Sequence, residues 1–385
     1  MIEHGGADLG PAVRWDFSTN ANPMGPLAGA VQALAQADRR IYPEPSYLAL
    51  RQRLAEAGLA PLERLLPSAG NAEAIRRLTL AARLAGCRHV WVPQPGYAEY
   101  RVAAETLGLS VRGYDSVASL TQALRDALTG TSPEPALVWL CEPCNPSGDD
   151  VPQRDWDALS ALWPTAAQAG CTLAIDRAYA PMRLDGDDPL PNGLIDASWQ
   201  LWSPNKALGC TGVRAGMVVA PLTRAPGWPD LAALAPSWVL GSEGVALLSV
   251  WLSDGVQAGL RVQRGVWAAW MRTQQALLRD FGWTVRDAVV PFFLARPPEG
   301  QPLDLLLPAL REQGIKLRDA TSLGLPGWCR LRVMPPEAQD ALRAALKALA
   351  PEPAPEPDVD ADVDADVDVD AAAPSTEEDA CAPGP

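Results

Sequence analysis

The chain has 385 residues, 48% hydrophobic and 20% charged, with a formal charge of −14. That length holds a large core and a smaller one, and with no uncharged apolar stretch of 18 residues a membrane span is not expected. Twelve acids and no base fall in residues 351–385, so the remainder is close to neutral and offers no basic surplus for nucleic acid.

The start lacks the basic and apolar regions of a signal peptide, and the odd set of seven cysteines suits reduced thiols, so a cytoplasmic protein is expected. Residues 1–43 read as an N-terminal arm rich in Gly, Pro and Asn, ending in a short helix near Leu27–Asp38. From Tyr47 helical and apolar strand patterns alternate. Helices are predicted near Tyr47–Ala57, Asn71–Ala85, Tyr97–Leu107, Ser119–Leu128 and Gln153–Ala169. Strands are predicted at His89–Val92, Ala136–Cys141, Cys171–Asp176, Trp199–Trp202 and Arg214–Ala220. Short, continuously apolar strands between helices predict an α/β fold with a mostly parallel sheet covered on both faces. The expected large domain spans residues 44–235.

Beyond it two long helices are predicted, about Pro236–Leu252 and Val256–Phe281. Strands follow near Trp283–Val285, Val290–Ala295, Ile315–Leu317 and Cys329–Val333, with helices at Leu303–Gln313 and Pro336–Leu349. These make a smaller α+β domain, residues 236–350, against which the arm is expected to pack. Residues 351–385 read as a disordered acidic tail, because alternating Asp would place like charges on one face. The tail lacks the Gly turn and bidentate Glu of a calcium loop.

Only His4 and His89 are available for a His-rich metal site or a Ser-His-Asp triad, and no Gly-x-Ser-x-Gly occurs. Hydrolase and metalloenzyme readings start weak, and no metal is expected. The three lysines, Lys206, Lys316 and Lys347, say more. A lysine amine can lose its proton when desolvated and condense with an aldehyde, whereas a guanidinium cannot. Lys316 and Lys347 lie in ordinary polar surroundings. Lys206 sits in a small polar loop, Ser203-Pro204-Asn205-Lys206, with Arg214 eight residues on.

Further segments fall at strand ends and helix starts. Pro67 to Glu73 offers backbone donors at Asn71 and Ala72 for an anion, or a plain helix cap. Tyr97 is a ring that can stack on a flat heterocycle or pack at its helix start. Asn145, after the Cys141-x-x-Cys144 pair, can reach a ring oxygen; no second Cys pair or His supports a metal there. Asp176 ends a buried strand and calls for a cation, either a protonated ring nitrogen or an arginine. Tyr179 adds a donor, and Ser203 and Arg214 supply a hydroxyl and a fork suited to phosphate. Together with the amine of Lys206, these are the contacts that pyridoxal 5'-phosphate needs.

On Asn145-Pro146-Ser147-Gly148, Asp176-x-x-Tyr179 and Ser203-x-x-Lys206 with Arg214, the chain resembles the fold-type I pyridoxal-phosphate enzymes of the aminotransferase class I/II superfamily. His4-Gly5-Gly6, Asp16 to Pro23 and Tyr42-Pro43-Glu44-Pro45 are similar to the branch holding histidinol-phosphate aminotransferase and the threonine-phosphate decarboxylase of cobalamin synthesis. The resemblance implies catalytic roles for Lys206 and Asp176. It implies a homodimer in which Tyr42 reaches the cofactor phosphate of the neighbouring subunit, and Arg332 as the holder of the substrate anion. Departures are Arg177 where the family usually has Glu, Asn205 where close relatives often carry Ser or Thr, and no further Arg shortly after Arg332. The expected activity is transamination of a small amino acid or amino-phosphate. The alternatives are threonine-phosphate decarboxylation and a non-catalytic pyridoxal-phosphate-binding protein.

Overall fold

The computed structural model describes residues 5–130 and 134–349; His4 and the acidic tail lie outside them. The chain enters through β1 (Trp15–Asp16), α1 (Ala28–Gln36) and α2 (Leu48–Glu56). Strand and helix then alternate through β2 (Leu65–Ser68), α3 (Asn71–Leu84), β3 (His89–Pro93), α4 (Ala98–Thr106), β4 (Ser110–Tyr114) and α5 (Val117–Leu128). They continue through β5 (Ala136–Cys141), α6 (Gln153–Gln168), β6 (Thr172–Asp176), α7 (Asn192–Ala197), β7 (Ser198–Trp202) and β8 (Gly216–Val219).

These strands form one sheet in the order β2-β8-β7-β6-β5-β3-β4. The five strands β3 to β7 run parallel, and β8 is antiparallel to both of its neighbours. In β5, Leu137 and Trp139 pack on the face covered by α3 and α4, and Val138 and Leu140 on the face covered by α5 and α6. Both faces are thus buried, which is why the strands read as unbroken apolar runs. Helix α5 starts at a capping box in which Ser116 and Ser119 satisfy each other's backbone donors.

Two helices follow, α8 (Ser242–Trp251) and α9 (Asp254–Asp280). Next come β9 (Thr284–Val285), β10 (Phe292–Arg296), α10 (Leu303–Glu312), β11 (Ile315–Lys316), β12 (Arg318–Asp319), β13 (Cys329–Arg332) and α11 (Pro336–Ala348). A second, antiparallel sheet has the order β12-β13-β10-β9. Phe293, Ala295, Cys329 and Leu331 face a core shared with α9 and α11. Strand alternation turns Arg330 and Arg332 to the other face. The arm joins here: β1 pairs in parallel with β11, Trp15 opposite Ile315, and Phe17 accepts the Arg332 N–H at 2.7 Å.

Two predicted elements differ, and some elements are additional. The helix expected from Pro236 begins only at Ser242, because Trp238 takes a left-handed φ of 50° and donates its indole N–H to the Pro43 carbonyl at 3.1 Å. The run Ile315–Leu317 is split into β11, which holds the arm, and β12, which pairs with β13. Strands β2 and β4 are additional; β2 contains Pro67, and β4 is the half-exposed sheet edge. Among the described residues no helix is long and apolar enough to cross a membrane.

Candidate active site

A cavity of about 250 Å³ opens where β5, β6 and β7 end, on the side where α/β sheets bind ligands. Lys206 lines it from the turn after β7. The arm holds that turn: the Asn22 N–H donates to the Lys206 carbonyl at 2.9 Å, and the Asn22 amide donates to Ala207 O at 2.9 Å. The Lys206 Nζ stands 5.4 Å from the centroid of the Tyr179 ring. Burial pushes this amine below its ordinary pKa, with Asp176 opposing and Arg214 adding to the fall.

Asp176, the last residue of β6, is 4% exposed. Its Oδ1 accepts from Asn71 Nδ2 at 2.6 Å and from the Ala178 N–H at 2.9 Å, and its Oδ2 accepts from the Tyr100 hydroxyl at 2.8 Å. Burial nevertheless raises this carboxyl above the usual range, against Lys206 and the three donors.

Helix α3 begins at the cavity with Asn71 and Ala72. Gly70 precedes it at φ 90°, and a Cβ there would lie 2.6 Å from Arg214 Nη2. Helix start, glycine and exposed guanidinium thus form a cradle that suits an anion. Ser203 corrects the expectation: it is buried, does not line the cavity, and donates to Asn205 Oδ1 at 2.9 Å. Asn205 in turn donates to the Val213 carbonyl at 3.0 Å, tying the lysine loop to the segment that carries Arg214.

Tyr97, Asn145 and Tyr179 all line the cavity. Burial raises the Tyr179 phenol to about 12, with Arg330 opposing. Arg332 is a second correction. It lies off the cavity and donates to the Asp16 carbonyl at 2.7 Å, beneath the arm. Of the two arginines on this strand face, the one that lines the cavity is Arg330, two residues earlier. It donates to Asn145 Oδ1 at 2.6 Å and to Ser18 O at 2.8 Å. Burial lowers it to about 10. Arg318 stands directly opposite it across β12 and β13 and lines the same cavity. Tyr42 is outside the cavity, 74% exposed, and stacked on Trp238 at 4.4 Å.

Sequence reasoning gave no site role to Arg318, Arg330, Tyr100 or the arm residues Ser18, Thr19 and Asn20, which also line the cavity. A signal existed in Asp16-x-Ser18-Thr19. There Asp16 accepts from both hydroxyls, which win over burial and hold its carboxyl below the usual range. Among the described residues no group of His, Cys, Asp and Glu is arranged to hold a metal, the Cys141–Cys144 loop included.

A model of the aminotransferase class I and II family matches residues 15–349. The chain belongs to that family. It is a pyridoxal-phosphate-dependent aminotransferase. It is 28% identical to a histidinol-phosphate aminotransferase of Symbiobacterium thermophilum over 86% of this chain and 89% of the relative. A histidinol-phosphate aminotransferase 2 of Cupriavidus pinatubonensis is 31% identical over 69% of this chain and 71% of its own. Its fold is that of the Sinorhizobium meliloti histidinol-phosphate aminotransferase solved with pyridoxal 5'-phosphate, at a TM-score of 0.72 and 20% identity, covering 88% of this chain and 92% of that one.

The residues present fit the cofactor. A buried amine lies beside a buried acid, and a helix-start cradle is kept free of a Cβ. The Asn71 Oδ1, on the side chain that donates to Asp176, is buried without a hydrogen-bond partner among the described residues.

Proposed function

We propose that this aminotransferase acts on a small amine carrying a phosphate, of the histidinol-phosphate kind. The observation that carries the reading is Arg330, buried in the wall of the cavity that holds Lys206, with its Nε lacking a hydrogen-bond partner among the described residues. Among the described residues no carboxylate lies within 4.0 Å of Arg330, and a buried guanidinium lining the cavity suits a phosphate. The names of the curated relatives agree.

The geometry supports the following roles. Asn71, Ala72 and Arg214 would hold the cofactor phosphate, Tyr97 would cover the ring, and Asn145 and Tyr179 would reach its oxygen. When bound, pyridoxal phosphate supplies an aldehyde for the lysine and a ring that accepts the electron pair freed at the substrate carbon. Asp176 would keep a proton at the ring nitrogen. Lys206 Nζ, its proton affinity reduced by burial, would take the proton from the substrate carbon and deliver it to the cofactor's aldehyde carbon. Arg330 would fix the substrate anion and so choose which bond is weakened.

We read the enzyme as a cytoplasmic homodimer, with arm 1–43, large domain 44–235 and small domain 236–350. The exposed Tyr42 supports a partner across that surface, and the six described cysteines, all free, suit a reducing compartment. The test is donor addition to the holoenzyme. Histidinol phosphate should bleach the cofactor's visible band, and borohydride should first fix a pyridoxyl group on Lys206. Labelling elsewhere removes the site assignment. Carbon dioxide release from threonine phosphate, without conversion of histidinol phosphate, replaces the transaminase by the decarboxylase.

A further inference from the structure

Asp176 is a buried carboxylate without an ion pair: among the described residues no basic nitrogen comes within 4.0 Å of it. Its charge is shared instead with neutral donors, and the one on Oδ2 is the Tyr100 hydroxyl at 2.8 Å. Nothing in the transamination roles above uses this phenol. It is nevertheless held closely. Its ring stacks on Trp139 at 5.0 Å and 20°, and meets the Tyr97 ring edge-on at 5.7 Å and 88°. Tyr100 is fully buried, and burying a hydroxyl is unfavourable unless it finds a partner. A Phe would fill the same stack without that cost.

We propose that Tyr100 is a positioning residue for the cofactor ring: its hydroxyl fixes Oδ2 of Asp176 and draws off part of its charge. This rests on Asp176 being the partner of the ring nitrogen. Asn71 and Ala178 occupy Oδ1, and Tyr100 takes one side of Oδ2, leaving the other side of Oδ2 for the ring N–H. A carboxylate relieved of charge competes less for the shared proton, so the proton stays on the ring. The other titratable groups that face Asp176 are Lys206 from the loop after β7, Tyr97 from α4, Cys141 from β5 and Tyr179 beyond β6. Lys206 acts in the same direction as Tyr100, and burial acts against both.

The test is a pH titration of the visible absorbance of the bound cofactor, in the holoenzyme and without substrate. Tyr100→Phe makes Asp176 more basic and moves the proton off the ring. A ring without its proton withdraws fewer electrons from the lysine–cofactor link, so the midpoint rises by about one pH unit. kcat then falls about tenfold with KM little changed, since substrate anions bind elsewhere. Replacing Tyr100 by 3-fluorotyrosine, a stronger donor of nearly the same shape, moves the midpoint the opposite way. Midpoints equal to wild type in both proteins, or displaced in the same direction, overturn the proposal and leave a packing role. If the Phe variant does not fold, the fluorinated protein decides alone by the sign of its shift. Neither result touches the donor-addition test, which reads substrate identity.

Discussion

Truncation of Arg330 separates the anion site from the rest of the molecule. The side chain is 6% exposed and spends its two terminal nitrogens on Asn145 Oδ1 and Ser18 O. Its Nε is buried without a hydrogen-bond partner. A phosphate in the cavity would gain charge-assisted bonds worth about 1.5–3 kcal/mol each. Arg330→Ala should therefore lower kcat/KM for a phosphorylated amine by about 10- to 100-fold per bond lost, mostly through KM. Arg330→Lys keeps the charge and loses the fork, so it should fall between. The neighbour Arg332 is the control. Arg332→Ala removes a bond to the Asp16 carbonyl, which should cost about 1 kcal/mol of stability and leave KM near wild type. The assay is single-turnover bleaching of the cofactor band against donor concentration, with a thermal melt of each variant. If Arg332→Ala raises KM as far as Arg330→Ala does, the assignment from the cavity geometry is wrong.

Three further outcomes are expected. Gly70→Ala should cost about 1–3 kcal/mol, because φ 90° suits glycine and the new Cβ would press on Arg214 Nη2; it should weaken cofactor binding, read by equilibrium dialysis. Glu142 is raised to about 8 by burial and by Asp150, despite Arg183. A carboxyl bound more tightly to its proton when folded loses stability as pH rises, here from about 4.5 to about 8. The melting temperature should fall across that window, and Glu142→Gln should flatten the fall; an unchanged slope would count against it. Tyr42→Ala, at a 74% exposed ring, should shift sedimentation toward monomer and release cofactor on dilution, and unchanged sedimentation would remove the dimer assignment.

What the sequence made legible and what it hid divide along one physical line. Asp176 and Cys141 end strands that are apolar on both faces, and Lys206 follows β7 in a loop of small and polar residues. Local pattern places such residues, because a parallel sheet puts its strand ends together wherever the chain crosses over. β2 and β4 lie at the sheet edges, where burial demands less of each side chain, and their pattern fades. Ser203 is a different case: its hydroxyl is turned to the neighbouring Asn205, a contact that the local pattern does not reveal.

Arg330 and Arg332 show where local pattern stops altogether. They are two residues apart on one strand, and period-two alternation turns both to the same face. Nothing within β13 distinguishes them. The choice is made some 315 residues earlier in the chain, where Phe17 accepts the Arg332 N–H and Asp16 accepts its guanidinium. The arm covers one arginine, and the other, one pleat further on, is left to the cavity with Ser18 O and Asn145 for company. Shortening the arm to begin after Pro23 should therefore uncover Arg332 and loosen the Lys206 turn that Asn22 holds. Cofactor affinity and donor KM should worsen together in that protein. Loss of donor binding with full cofactor affinity would mean that the arm serves the anion site alone.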